Sequence, residues 1–319
     1  MSSSSIGSLV VSAIYGLLLT VSLPIDGVLD RANYLYALQS ANSIAALFIK
    51  LNQLTFSSLL SSELLWNLMN VIGSEIFFSE TLLRIYIFFS ASSAAFLIAR
   101  VYGKSGIFVL AILVTPAFLK NYIIHLRQGI AISIALNFFL VKSAKRGLLV
   151  ILIASLVHAS FSFFLPALVL DFILKKFDFY VRKSVLFLSG VILALILVVF
   201  SNMVNLAMFS QKIGQYDGSE IHYSGVGYLA NIALVIPVLL IRKRQVFFAP
   251  IYFLFGFYLI SFFYLPYAAR IWESLLVFVC LISLKYSPYK LVTMSVIFVS
   301  SIFYYLKNFG EPIFGWGGV

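Results

Sequence analysis

The sequence predicts an all-α, polytopic integral membrane protein of about 11 transmembrane helices, and three observations predict it. Of its 319 residues 62% are hydrophobic, and only 22 Lys and Arg and 11 Asp and Glu are charged, where a soluble domain is roughly a quarter charged. Mean hydropathy is +1.06, and apolar runs recur from Ile6 to Leu306 at lengths near the roughly 20 residues that cross a bilayer. The third observation is the distribution of charge between alternate loops. This composition excludes disordered, collagen-like and disulfide-scaffold classes. The single cysteine, Cys280, can form neither an internal disulfide nor a thiolate metal site.

Taken in order, residues 6–23 read as a retained first span, because no basic segment precedes them and no small-x-small cleavage site follows Leu19. Residues 24–80 form an outer loop of 57 residues, long enough to be functional rather than a spacer. Apolar spacing near 3.6 over 43–60 and 64–76 predicts helices on the membrane surface. The loop carries Asp26, Asp30, Arg31, Glu63, Glu75 and Glu80, each of which also reads as an ordinary solvated charge. Further spans are expected at 82–99, 107–119, 130–141, 148–157, 161–174, 185–201, 228–241, 246–264, 271–284 and 291–306. The pair 148–157 and 161–174 reads as two short helices meeting near His158, each of about 13 residues and about 20 Å. Such a pair requires a thinned bilayer or burial in protein. The whole chain, 1–319, is expected to be one transmembrane domain with 24–80 as a structured periplasmic loop within it.

With the N-terminus inside, fourteen of the 22 basic residues fall on the inner side, among them Lys142, Lys145, Arg146, Lys175, Lys176 and Arg182, and nine of the 11 acidic residues fall outside. The net charge of +11 is therefore the positive-inside signal, and no nucleic-acid partner is expected.

Four polar segments stand out. In His125-Leu-Arg-Gln-Gly-Ile-Ala-Ile-Ser133, Gly129, Ser133 and Asn137 give one helix face small enough for a close helix neighbour. Arg127 stands above it with a planar fork suited to phosphate or pyrophosphate at a helix N-terminus; the alternative is that it snorkels to lipid headgroups. His158 lies in a stretch without other charge between Arg146 and Asp171, and an ionisable residue inside a membrane segment is a functional candidate. Its alternative is a structural histidine bonded to a backbone carbonyl. Asp217, Glu220 and His222 match no metal-ligand spacing, and the glycines around them favour a loop. Arg270 and Glu273 are three apart on one helix face: either they pair, or Arg270 joins Arg127 around an anionic headgroup. No phosphate-binding loop, zinc-protease or hydrolase motif appears, and the inner loops are too short for a nucleotide-using domain.

The order of these features resembles the EpsG family of Wzy-type exopolysaccharide and O-antigen polymerases. The resemblance rests on an outer-loop Asp near the first span, Glu63-Leu-Leu-Trp-Asn-Leu-Met-Asn-Val-Ile-Gly73, Leu126-Arg-Gln-Gly-Ile-Ala131 and Ala154-Ser-Leu-Val-His-Ala-Ser160. It runs from about residue 26 to 170, and the last two strings are fairly specific as a pair. Family members usually carry a proline, glycine or aromatic soon after the loop glutamate, whereas Leu64-Leu65-Trp66 follows Glu63 here.

The resemblance implies a glycosyltransferase-C-like fold in the bacterial inner membrane with its active site facing the periplasm. Its implied reaction polymerises polyprenyl-pyrophosphate-linked oligosaccharide repeat units into O-antigen, capsule or exopolysaccharide, without metal or other cofactor. The implied partners are these lipid-linked oligosaccharides, the bilayer and a polysaccharide chain-length regulator. His158, Glu63 and Asp30 are the expected catalytic residues, and Arg127, Gln128, His125 and Arg270 the expected pyrophosphate- and glycan-binding ones. Two other classes are open: a lipid-linked-oligosaccharide flippase or transporter shares the span count, and a membrane acyltransferase modifying surface polysaccharide also pairs arginine with histidine. A flippase or transporter predicts charge at the bilayer midplane and inverted repeats, and an acyltransferase predicts an inner-face histidine; the polar candidates here map to the outer rim.

Overall fold

The computed structural model describes residues 3–21, 30–40, 63–102, 112–140, 144–203, 225–241, 248–265 and 267–307. Among the described residues every regular element is helical. The chain divides into two compact units, Met1–Ser162 with Ile297–Val319, and Phe163–Val296.

The first unit begins with α1 (Ser3–Val21), α2 (Arg31–Gln39), α3 (Leu64–Ile76) and α4 (Ser79–Tyr102). It continues with α5 (Pro116–Ile123), α6 (Leu126–Leu136) and α7 (Ala144–Val157). Helix α1 packs along α4, α4 against α6, and α6 against α5 and α7, while α2 and α3 touch α4 and each other. The Arg84 guanidinium at the start of α4 donates to the Thr20 carbonyl at the end of α1 (3.0 Å), which ties these antiparallel termini together. The expected outer-loop helix at 64–76 coincides with α3; the one at 43–60 and residue Asp26 lie outside the described residues.

The expected span at 107–119 is not one continuous helix. The chain turns at Val114, and Pro116 opens a new helix whose Thr115 cap accepts from the Phe118 amide (3.3 Å); proline is favoured where its missing N–H is not needed. The expected span at 130–141 starts earlier, at Leu126, and ends earlier, at Leu136, passing into a 3-10 turn, Asn137–Leu140. Asn137 ends it by donating its side-chain amide to the Ser133 and Ile134 carbonyls (3.3 and 3.2 Å), a local bond that competes with the helix ladder. At 11 residues this helix is about 16 Å long, well short of the hydrocarbon core of about 30 Å.

The second unit holds α8 (Phe164–Ile173), α9 (Phe179–Met203), α10 (Gly225–Leu239), α11 (Phe248–Ser261) and α12 (Ala268–Tyr286). Helices α9 and α11 touch backbone to backbone: a Cβ on Gly190 would lie 1.9 Å from the Phe253 carbonyl oxygen, and one on Gly256 2.2 Å from that of Phe187. Two glycines facing opposite helices are the small-residue device of membrane helix pairs. A last helix, α13 (Lys290–Lys307), follows α12.

Helices α4 and α9 are long and apolar enough to cross a membrane, and shorter apolar helices lie at Ile6–Val21, Leu126–Leu136, Gly227–Leu239, Phe248–Ser261 and Lys290–Leu306. Large apolar side chains stay exposed along α1 (Ile6, Val10, Ile14, Leu17) and α9 (Leu188, Ile192, Leu195, Val199), far more than a soluble surface tolerates. The chain is a helical membrane protein.

Candidate functional site

The site in the first unit is built on helix ends. Glu63 occupies the N-cap position of α3, and its carbonyl opens the helix by accepting from the Asn67 amide (3.0 Å). Its φ of 51° is left-handed, a conformation costing an L-residue roughly 1–2 kcal/mol, and its side chain caps nothing. The carboxylate, 4% exposed, turns to two partners instead. Arg127 Nη1 donates to Oε2, and His158 Nδ1 donates to Oε1 at 2.9 Å.

Arg127 stands in the first turn of α6, with its side chain 34% exposed. The position of that turn depends on Gly129: a Cβ there would lie 2.3 Å from the Asn121 carbonyl oxygen on α5. One turn further, Ser133 Oγ donates to the Ser90 carbonyl of α4 (2.8 Å) and lies 3.1 Å from the Tyr122 hydroxyl. The small face anticipated at Gly129 and Ser133 thus seats α6 against α4 and α5. Gln128 is buried.

His158 sits in the break between α7 and the 3-10 turn Ala159–Phe163, with its amide donating to Ala154 and its carbonyl accepting from Phe161 (2.9 and 3.1 Å). The junction expected near 158–162 is therefore a helix interruption that releases the imidazole sideways. An ionised carboxylate only accepts, so Glu63 holds a proton on Nδ1, and in the neutral ring Nε2 is then the lone-pair nitrogen. Arg127 acts on the histidine through Glu63.

A second carboxylate–histidine pair is drawn from the segment before α2 and the start of α6. Asp30 is the N-cap residue of α2, left-handed at φ 61° and likewise not capping its helix. His125, the N-cap residue of α6, donates from Nδ1 to Asp30 Oδ2 at 3.3 Å. Among the described residues Asp30 and Glu63 are the only non-glycine positions with positive φ. Strain gathered on two acidic residues is characteristic of functional sites.

Three neighbours are not among the residues expected at the site from sequence. Arg31 is 1% exposed, and its Nε donates to the Ile123 carbonyl (3.0 Å), fastening α2 to the segment that leads into His125. Burial, aided by the charge of Arg84, pulls its pKa down. Tyr34 lies under the Arg127 guanidinium, 5.7 Å from ring centroid to Cζ. Burial raises its hydroxyl pKa and Arg127 opposes that rise. Trp66, in the string that departs from the usual family pattern, packs edge-on against Tyr34 (5.7 Å) and tilted against Tyr86 (5.4 Å), wedging α2, α3 and α4 together. The spacing Arg31, Tyr34, Leu38 on one face of a short helix is a sequence signal for burial of that face; nothing local shows what the face meets. Arg270 lies in the first turn of α12, in the second unit, half-buried. Asp217, Glu220 and His222 lie outside the described residues.

No curated protein and no solved structure matches the chain. The model of the EpsG family matches residues 8–316, well beyond the segment of about 26 to 170 that carries the resemblance in sequence. Matched over nearly its whole length, this chain belongs to the EpsG family, a Wzy-type polymerase family.

Proposed function

We propose that the protein is a membrane glycosyltransferase that polymerises polyprenyl-pyrophosphate-linked oligosaccharide repeat units at the outer face of the cytoplasmic membrane. The observation that carries the reading is the Glu63 carboxylate, buried and bonded on one oxygen to Arg127 and on the other to His158. His158 Nε2 takes the proton of the acceptor sugar hydroxyl. That oxygen attacks the anomeric carbon of the glycan on the second lipid carrier, forming the new glycosidic bond. The anomeric C–O bond to pyrophosphate breaks, and polyprenyl pyrophosphate leaves with the electron pair. Arg127 stabilises the charge developing on the leaving pyrophosphate. Glu63 is a positioning residue that fixes the imidazole tautomer and the guanidinium fork; Asp30 with His125 contacts substrate at the more open rim.

The test is His158→Gln in a strain dependent on this chain. Glutamine replaces a hydrogen bond but takes no proton, so single-repeat lipid-linked units accumulate in place of long glycan while protein level holds; a fall of about 10²-fold or more in extension is expected. Near-normal chain length moves the base elsewhere. Loss of all surface glycan, single units included, supports a transport role instead. The orientation is read separately: a membrane-impermeant thiol reagent labels Ser58→Cys and spares Ser143→Cys in intact cells, and the reverse inverts the topology.

A further inference from the structure

Helix α2 and its cap grip the junction between α5 and α6 at three alternate residues. Asp30 Oδ2 meets the His125 imidazole at 3.3 Å, Arg31 Nε donates to the Ile123 carbonyl at 3.0 Å, and the Tyr34 ring centroid stands 5.7 Å from Arg127 Cζ. Ile123 ends α5, His125 caps α6, and Arg127 lies in its first turn. The proposed reaction gives a part to Asp30, His125 and Arg127 and none to Tyr34.

Tyr34 is 6% exposed, and Trp66 packs edge-on against its ring while leaning on Tyr86, so side chains of α3 and α4 hold the phenol in one place. Its hydroxyl lies within hydrogen-bonding reach of both the amide and the guanidinium of Arg127; at the start of α6 that amide has no acceptor inside the helix. Arg127 is a long side chain whose far part is 34% exposed, and Glu63 holds it at Nη1. One anchor leaves the guanidinium plane free to turn about that bond. A second, neutral anchor fixes the plane without cancelling the charge, as a second carboxylate in the same place would. Burial raises the phenol pKa, so the hydroxyl is neutral at physiological pH. A fork held in this way binds a phosphate group more tightly because the side chain is already ordered when the anion arrives.

We propose that Tyr34, with Trp66 behind it, is a positioning residue that orients the Arg127 guanidinium toward the pyrophosphate of the lipid-linked substrate. The inference rests on the reading of Arg127 as the pyrophosphate-binding cation. Tyr34 acts through Arg127, so its effect on binding exists only while the planar fork is there to be oriented.

The experiment is a double-mutant cycle on the binding of polyprenyl pyrophosphate to the full chain in detergent, with thermal unfolding as a check on folding. Tyr34→Phe keeps the ring and its packing against Trp66 and removes the hydroxyl. It is expected to weaken binding about three- to tenfold, the worth of one hydrogen bond. In an Arg127→Lys background, where no fork remains, the same substitution is expected to change binding by less than about twofold. A residue that only stabilises the fold gives effects that add, so additivity with Arg127→Lys overturns the inference, as does wild-type affinity in Tyr34→Phe. If Tyr34→Phe does not fold, Trp66→Phe, which loosens the Tyr34 ring and keeps its hydroxyl, goes through the same cycle, and absence of coupling to Arg127 there overturns it. The remaining arms separate this inference from the reading beneath it. No binding by the wild type, or full affinity in Arg127→Lys, removes the pyrophosphate site itself. Binding that Arg127→Lys weakens and Tyr34→Phe does not leaves that site standing with Tyr34 outside it.

Discussion

The two carboxylate–histidine pairs of the first unit use the same parts and differ in depth. Both acids stand at helix N-caps in left-handed backbone, and both give up capping to bond a histidine Nδ1. The Glu63 carboxylate is 4% exposed, bonds His158 at 2.9 Å and holds Arg127 as well, whereas the Asp30 carboxylate is 35% exposed and lies 3.3 Å from His125. Burial makes the first pair electrostatically strong and intolerant of a missing partner, while solvent screens the second to the scale of a surface ion pair.

That contrast breaks most clearly at Glu63→Gln. The amide keeps the shape but loses the charge that both partners need, so glycan extension is expected to fall below detection. Breaking a buried ion pair costs about 3–5 kcal/mol, visible as a lower melting temperature in detergent. Normal polymer from this variant reduces the buried pair to a structural tie.

Arg127→Lys is next. It keeps the charge but loses the planar fork, and a charge-assisted hydrogen bond worth about 1.5–3 kcal/mol translates into about a 10–100-fold fall in extension. Wild-type activity here removes Arg127 from pyrophosphate binding. Gly129→Ala separates architecture from chemistry, since a Cβ meets the Asn121 carbonyl at 2.3 Å. Overpacking costs about 1–3 kcal/mol, so thermal stability drops and shorter chains follow from displacement of Arg127.

The smallest effects belong to Asp30→Asn and His125→Gln. A partly exposed pair contributes about 0.2–1 kcal/mol, so each variant is expected to shift apparent substrate affinity a few-fold with maximal extension nearly unchanged. A loss as deep as that of Glu63→Gln in either variant reverses the ranking of the two pairs.

Much of this is legible along the chain. Apolar run lengths name the helical membrane class because burying backbone polar groups in lipid permits little else, and the 3.6 spacing after Glu63 locates α3 to the residue. The Leu-Arg-Gln-Gly string and the Ala-Ser-x-x-His string carry the family resemblance. Helix ends are less legible. The break at Thr115–Pro116 and the early stop at Asn137 depend on individual cap and side-chain bonds that a hydropathy window averages away.

Composition and local periodicity were enough for the class and the approximate places of the helices, the residues' own chemistry singled out Arg127 and His158, and the family resemblance added Glu63. That these three meet is a result of how the helices pack. Glu63 lies 64 residues from Arg127 and 95 from His158, and no periodicity spans such separations. The tertiary structure also decided the roles of Arg31, Tyr34 and Trp66, which in sequence are a loop charge and two aromatics among many. Their meaning arises from what α2, α3 and α4 press against them, and that is set by packing between helices rather than by any signal within one.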